Sequence, residues 1–377
     1  MTITSIRTRA IGVPVDKPTR MSNRELGARH YLLVEVTTDD GATGVGYTYA
    51  GTGSGHLAKC AADDLLAPVY LGGDPNDVVG LWDRAYQETL LEGRRGTVLR
   101  ALSALDIALW DLRAKQAGLP LVSLLGGTTA PLPAYASGGY YRPDEGPWTE
   151  AVAREIEFNA SQGFTDHKIK VGGLSVAEDA ARVAAAIEAI GDTGRLSLDA
   201  NNAYRSVHEA RTAITAFERA AGDRPLWWFE EPLSPDANAG HAELSRTIRT
   251  PVATGEIHQT RWEFRPLIEA GIPILQCDAG VAGGVTEWLR IAATASTFGL
   301  QMAPHWHHNL HAHLCGAIPN TLVVEYFALE KGIYNFERLL TPESRLHYAD
   351  NKVHTPDRPG LGIDFDEEML TKYELMG

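Results

Sequence analysis

Lys168 and Lys170 stand one residue apart in the stretch DHKIKVGG. A strand would turn both to one face and give His167, Ile169 and Val171 the other. Two ammonium groups side by side repel, and burial makes each harder to keep charged. The pattern continues downstream. Asp199 with Asn201 on the same face, Glu230 or Glu231, Glu256, Asp278, His305 and Glu325 each close a short apolar run, 20 to 31 residues apart. Each step is about one strand–helix unit. A barrel packed only for stability favours Val, Ile and Leu at such positions. An ionisable side chain ending strand after strand therefore points to chemistry.

Charge indicates which chemistry. Asp199, Glu230 and Glu256 on neighbouring strands would repel unless a cation lay between them. Three carboxylates without cysteine or histidine make a hard oxygen site, which favours Mg²⁺ over Zn²⁺. A divalent ion could bind a substrate carboxylate and stabilise the enediolate formed when the α-proton leaves. Lys170, crowded by Lys168 and partly desolvated, would have its pKa lowered toward neutrality and could serve as the base. On the other flank, a carboxylate at Asp278 would orient the His305 imidazole and raise its basicity.

These residues need a frame. Up to about Leu125 the chain opens with strand-like runs, ITSIRTRAIGV, HYLLVEVTTDDG and ATGVGYTYA, the second ending in an Asp-Gly hairpin signal. Val98, Leu102, Leu105, Leu109 and Leu112 then recur at helical spacing, with Gly118 and Pro120 as the stop. From about Leu132 to Phe327, short β-rich runs alternate with alanine-rich amphipathic segments. At one junction Gly172 and Gly173 end a strand, and Ser175 with Glu178 forms a capping box. Eight such units predict an α/β fold, a TIM-like (β/α)7–8 barrel. The expected divisions are 1–128 for an N-terminal α+β unit, 129–328 for the barrel and 329–377 for a loop-rich C-terminal segment.

The 377 residues are 44% hydrophobic and 22% charged, an ordinary globular balance. A net charge of −14 with unclustered Lys and Arg argues against nucleic acid as a partner. No apolar run approaches a membrane span, and the N-terminus lacks a signal peptide's apolar core. Cys60, Cys277 and Cys315 fit no disulfide framework, so a reduced, cytoplasmic compartment is expected.

The order KxK, D-x-N, EEP, GE, D, H, E, together with ALSALDIALWDLRAK, DAGVAGGVTEWLRIA and PGLGIDF, resembles the mandelate racemase subgroup of the enolase superfamily. Sites of that superfamily use a Lys or His base with Mg²⁺. The resemblance implies one Mg²⁺ on Asp199, Glu230 and Glu256, with Glu231 turned away. It implies Lys170 as one acid/base, with Lys168 tuning it and contacting the substrate carboxylate. His305 on Asp278 would be the other acid/base, and Glu325 would hydrogen-bond the carboxylate as its charge grows. Asn201 is typical of the subgroup's sugar-acid dehydratases. The N-terminal unit and the C-terminal segment would form one capping domain over the barrel mouth.

Substrate contacts are expected from Arg20, Arg24 or Arg29 in an early closing loop, and from His307 or His308. GTGSGH fails the dinucleotide-binding pattern and reads as a second capping loop. The leading expectation is a dehydratase that takes the C2 proton from an aldonate or aldarate, a small-molecule carboxylate, and expels the 3-hydroxyl. The product is a 2-keto-3-deoxy acid. A racemase or epimerase and a sugar-lactone cycloisomerase are the alternatives. A zinc-dependent barrel hydrolase using His311 and His313 is more remote, as is a binding protein without catalysis. A homo-oligomer, dimer to octamer, is expected.

Overall fold

The computed structural model describes residues 1–375; the last two residues of the expected 329–377 segment lie outside them. Strands β1 (Ile3–Arg20), β2 (Glu25–Thr38) and β3 (Thr43–Tyr49) form an antiparallel sheet in that order. β2 is apolar on both faces. Leu32, Val34 and Val36 pack into one core with Trp82, Leu102 and Leu109. Tyr31 and Leu33 join a different core that runs on into the barrel. The sheet is therefore a partition between helices on one side and the barrel on the other.

The helix Thr97–Gln116 carries the expected periodic residues, and all five are buried. It lies directly on β3 because that strand has glycine at the contact. A Cβ on Gly46 would come 2.0 Å from the Ala104 carbonyl oxygen, far inside contact distance. Its other side meets the barrel. Asp106 accepts from the Thr286 amide at 2.9 Å and hydroxyl at 2.6 Å, and Ser103 accepts from the Gly283 amide at 3.0 Å.

All eight expected barrel strands are present. They are β4 (Leu132–Ser137), β5 (His167–Lys170), β6 (Leu196–Asp199), β7 (Phe229–Glu230), β8 (Val252–Thr254), β9 (Ile274–Leu275), β10 (Gln301–Met302) and β11 (Val324–Tyr326). Each is parallel to the next from β4 to β10, and β11 pairs with β4. A single parallel bridge, Met302 to Thr321, joins β10 to the approach of β11 and completes the ring. The interior below the polar strand ends is filled by Tyr135, Trp228, Ala253, Ile274, Ala303 and Val323. The Ser175–Glu178 capping box starts the helix Val176–Ile190 as read from sequence.

The C-terminal segment does not return wholly to the N-terminal unit. Strands β12 (His347–Ala349) and β13 (Lys352–His354) make a hairpin that pairs antiparallel with β4, at the barrel. Two other stretches reach the N-terminal sheet: Asn335 accepts from the Tyr31 hydroxyl at 2.9 Å and donates to the Val13 carbonyl at 3.0 Å, and the last residues follow. Arg9 meets Glu367 at 2.7 Å and Glu374 at 2.9 Å, and the Leu375 amide donates to the Ala10 carbonyl at 2.8 Å. Among the described residues no helix is long and apolar enough to cross a membrane.

Candidate active site

Strand register assembles the floor of the site. Lys170 pairs with Asp199 across β5 and β6, and Asp199 with Glu230 across β6 and β7. Glu256 follows β8 by way of Gly255, whose φ of 125° is closed to ordinary side chains. A Cβ there would also sit 2.8 Å from the Phe264 ring. Asp199, Glu230 and Glu256 thus each offer an oxygen within 4.8 Å of the others. Burial and mutual repulsion raise the carboxyls of Glu230, beside Asp199, and of Glu256, beside Glu231 and Asp199. Glu256 Oε2 has no hydrogen-bond partner among the described residues. Two carboxyls held up by burial and repulsion beside Asp199, whose own pKa the lysines lower, leave an orphaned oxygen, and the set fits a divalent hard cation.

Neighbouring groups hold this trio. Asn201, at a left-handed φ of 43° that asparagine tolerates, donates its amide to Asp199 Oδ1 at 2.8 Å and its Nδ2 to Oδ2 at 3.2 Å. Glu231 turns away, as expected: it accepts from the Thr254 hydroxyl at 2.8 Å and from Asn202 at 2.5 Å.

The lysines share a face, and the barrel interior is that face. Lys168 is fully buried, with its Nζ 2.7 Å from Glu230 and 2.6 Å from Glu325. It is held by these carboxylates and is not among the residues that line the cavity. Glu325 is likewise turned to Lys168, and it accepts from the Trp306 amide at 2.7 Å. The expectation for Lys170 needs correcting. Burial and Lys168 do lower its pKa, but its Nζ bonds Asp199, and that carboxylate together with Tyr140 and Glu230 raises it on balance.

The other flank carries the histidine. His305 Nδ1 is 3.1 Å from Asp278 Oδ2, and its Nε2 is 3.7 Å from Glu256. Asp278 also accepts from the Gly280 amide at 2.8 Å. Burial would raise the Asp278 carboxyl, but the His307, His305 and His311 rings hold it down at about 2. Asp278 is therefore a fixed anion behind the His305 ring.

Lys170, Asn201, Glu256 and His305 open onto one cavity of about 260 Å³. Its roof belongs to the N-terminal unit: Arg24, Arg29, Tyr49 and Arg100 line it. The sequence reading held Arg29 only as one of three arginines and missed Arg100, Tyr49, Tyr140 and Trp306. Arg29 had one available signal. It occupies the alternation slot it shares with Tyr31 and Leu33, two residues of β2 that join the barrel-side core. A neighbouring cavity of about 380 Å³ shares Arg100 and Ile257 but holds none of the strand-end bases or carboxylates.

Two expected substrate contacts lie elsewhere. Residues 18–30 form no loop: β1 runs to Arg20, β2 starts at Glu25, and only 21–24 turn. Arg20 points out of the cavity, donating to the Gly173 carbonyl at 2.8 Å and lying over Tyr141. His307 is fully buried and accepts from the Tyr49 amide at 3.1 Å. Trp306, with a φ of 68°, breaks the strand alternation, so His307 does not repeat the aim of His305. His308 is buried beside Glu337 at 3.1 Å. His311 accepts from the Ala279 amide and His313 from the Val122 amide, at 3.1 and 3.3 Å. They form no shared metal site.

The chain matches two family models: the N-terminal domain of mandelate racemase / muconate lactonizing enzyme over residues 3–126, and the enolase C-terminal domain-like model over residues 151–369. It belongs to the mandelate racemase / muconate lactonizing enzyme family of the enolase superfamily. Among its relatives is L-talarate/galactarate dehydratase of Salmonella typhimurium, 34% identical over 343 residues, covering 89% of this chain and 81% of the relative. The 3,6-anhydro-α-L-galactonate cycloisomerase of Streptomyces coelicolor is 32% identical over 98% of both chains. The crystal structure of a racemase from Streptomyces coelicolor with bound magnesium superposes with a TM-score of 0.90 at 30% identity, covering 99% of this chain and all of that one.

Proposed function

We propose that this protein is a magnesium-dependent hydro-lyase that dehydrates a sugar acid to its 2-keto-3-deoxy acid. The observation that carries the reading is the placement of Lys170 and His305 on one cavity whose floor is the Asp199–Glu230–Glu256 trio. Solved and curated relatives support it, one holding magnesium and another dehydrating sugar acids.

Asp199, Glu230 and Glu256 would hold the ion. When bound, it supplies positive charge for the substrate carboxylate and for the negative charge that grows there as the α-proton leaves. This chain's own groups do the rest. Lys170 or His305 takes the C2 proton, and the electron pair of that C–H bond becomes the C2=C3 bond as the C3–O bond breaks. The departing hydroxide takes a proton from the other group and leaves as water. The enol then tautomerises to the ketone. Asp278 keeps the His305 ring oriented with one nitrogen committed, leaving Nε2 to face the cavity. Lys168 fixes Glu230 and Glu325, so the floor keeps its shape while charge moves above it.

The cycloisomerase relative, which matches end to end, favours a second reading. The same proton removal would expel a ring oxygen instead of a hydroxyl. A screen of aldonic and aldaric acids, and of their lactones, with Mg²⁺ separates the two. Formation of 2-keto acid from open-chain acids with release of water is expected. No turnover of any acid, and no C2 proton exchange in D₂O, would refute the enolisation reading.

A further inference from the structure

Arg29 is a buried cation without a counter-ion. Its side chain is 3% exposed, yet Nε and Nη2 have no hydrogen-bond partner among the described residues. Nη1 donates to the Tyr49 hydroxyl at 3.0 Å, and the guanidinium lies 4.3 Å from the centre of the Trp306 ring. None of its ion-pair distances to a described carboxylate falls within 4.0 Å, although almost every other buried cation here has one. Glu25 is on the same strand and face, but four residues away, about 13 Å of strand. Burying an unmatched charge costs several kcal/mol unless something compensates it. Arg29 faces the barrel and lines the same cavity as Lys170 and His305.

We infer that Arg29 binds a second carboxylate on the substrate, and that the preferred substrates are therefore aldarates, not aldonates. The inference rests on the sugar-acid reading above. The substrate's first carboxylate belongs with the floor, where the metal trio and the two bases stand around the reacting carbon. The far end of the molecule must lie under the roof. There the planar guanidinium carries two adjacent unpartnered N–H groups, enclosed here by the side chains around them, in the geometry that takes a carboxylate in bidentate fashion once those side chains part. Tyr49 and Trp306 hold the plane of the fork by hydrogen bond and stacking, so little side-chain freedom is lost on binding. A hydroxyl or a CH₂OH terminus would leave the charge unmatched.

The test compares galactarate with galactonate, which differ only at the far terminus. With Mg²⁺ present, calorimetry on the wild-type enzyme should show tighter binding of the dicarboxylate by about 10- to 100-fold, the usual worth of a charge-assisted pair. In Arg29→Met the difference should vanish, with the change in KM rather than kcat for any turned-over acid. Arg29→Lys should restore part of it. A purely structural arginine makes a different prediction: Arg29→Met would lower Tm and weaken both ligands alike. We expect its ligand-free Tm to stay level or rise, because an unmatched charge has gone. Equal binding of both acids by the wild type, or equal loss on both in the variant, would overturn the inference. If both acids bind without turnover or proton exchange, the dehydration reading fails while the Arg29 comparison still reads out.

Discussion

The cavity has a floor and a roof, and they are built on opposite electrostatic plans. On the floor every cation is answered by a carboxylate, and the orphaned oxygen is that of Glu256. Lys168 sits between Glu230 and Glu325, Lys170 on Asp199, and His305 on Asp278. On the roof Arg29 meets phenol and indole instead of carboxylate. The floor stands on the ends of hydrogen-bonded strands; the roof comes from a sheet that meets the barrel through side chains and one backbone bridge, Arg20 to Tyr141. A saturated ionic layer is suited to moving a proton with little rearrangement. An unsaturated one is suited to waiting for a ligand. The difference teaches a division of labour: reaction below, recognition above.

The sharpest way to break that division is at the floor. Glu256→Gln removes an oxygen from the trio, and turnover should fall to background on every substrate while far-UV circular dichroism and Tm stay native. Excess chelator should do the same to the wild-type enzyme, and readdition of Mg²⁺ should reverse it. Activity retained in chelator would end the metal reading.

Next come Lys170→Ala and His305→Asn. Each should lose about 10²-fold or more in kcat, the usual size of general acid–base catalysis. The variant that keeps the base for the substrate's C2 configuration should still wash the C2 proton into D₂O. If both variants turn over and exchange normally, the two groups are electrostatic supports only.

Asp278→Asn should cost less, about tenfold, because the His305 ring remains but its orienting anion is gone. The loss should fall on kcat, and it should be the same for good and poor substrates. A loss confined to one substrate would move Asp278 from the floor's plan to the roof's.

The smallest effects belong to the hairpin arginines. Arg24 is exposed at the cavity rim, so Arg24→Gln should raise KM by about two- to fivefold and leave kcat unchanged, as for an exposed charge. Arg20→Ala should change neither, since Arg20 is spent on Gly173 and Tyr141. A kinetic effect of Arg20→Ala as large as that of Arg24→Gln would blur the line drawn here.

The same division explains what could be read in advance. The floor was legible because it obeys local rules. Side chains alternate along a strand, strands recur at one unit's spacing, and an ionisable group in a β-rich run is conspicuous. All eight barrel strands and the meeting of Asp199, Glu230 and Glu256 at one place followed from that. The sign of the Lys170 shift did not, because repulsion from Lys168 was weighed and the in-register Asp199 on the adjoining strand was not. His307 was misplaced because a left-handed Trp306 ends the alternation that the reading extended. The roof was hardly legible. Arg29, Arg100 and Tyr49 come from two strands and a helix, and only the docking of the N-terminal unit on the barrel brings them to the site. No local spacing encodes that docking.

The salt bridges at the end of the chain bear on how the molecule comes into being. Arg9 is joined to Glu367 and Glu374 across 358 and 365 residues, and the Ala10 carbonyl is capped by the Leu375 amide. β1 is thus made before the barrel and receives these neighbours only after all eight βα units have been made. Contacts of such sequence separation form slowly, because a long loop must close before they can reward it. The nascent sheet must therefore hold its barrel-facing side, Ile11, Val13, Tyr31 and Leu33, uncovered while the eight βα units emerge. A ribosome-bound chain would present that apolar side to chaperones. The roof of the cavity would then be completed only after the barrel beneath it.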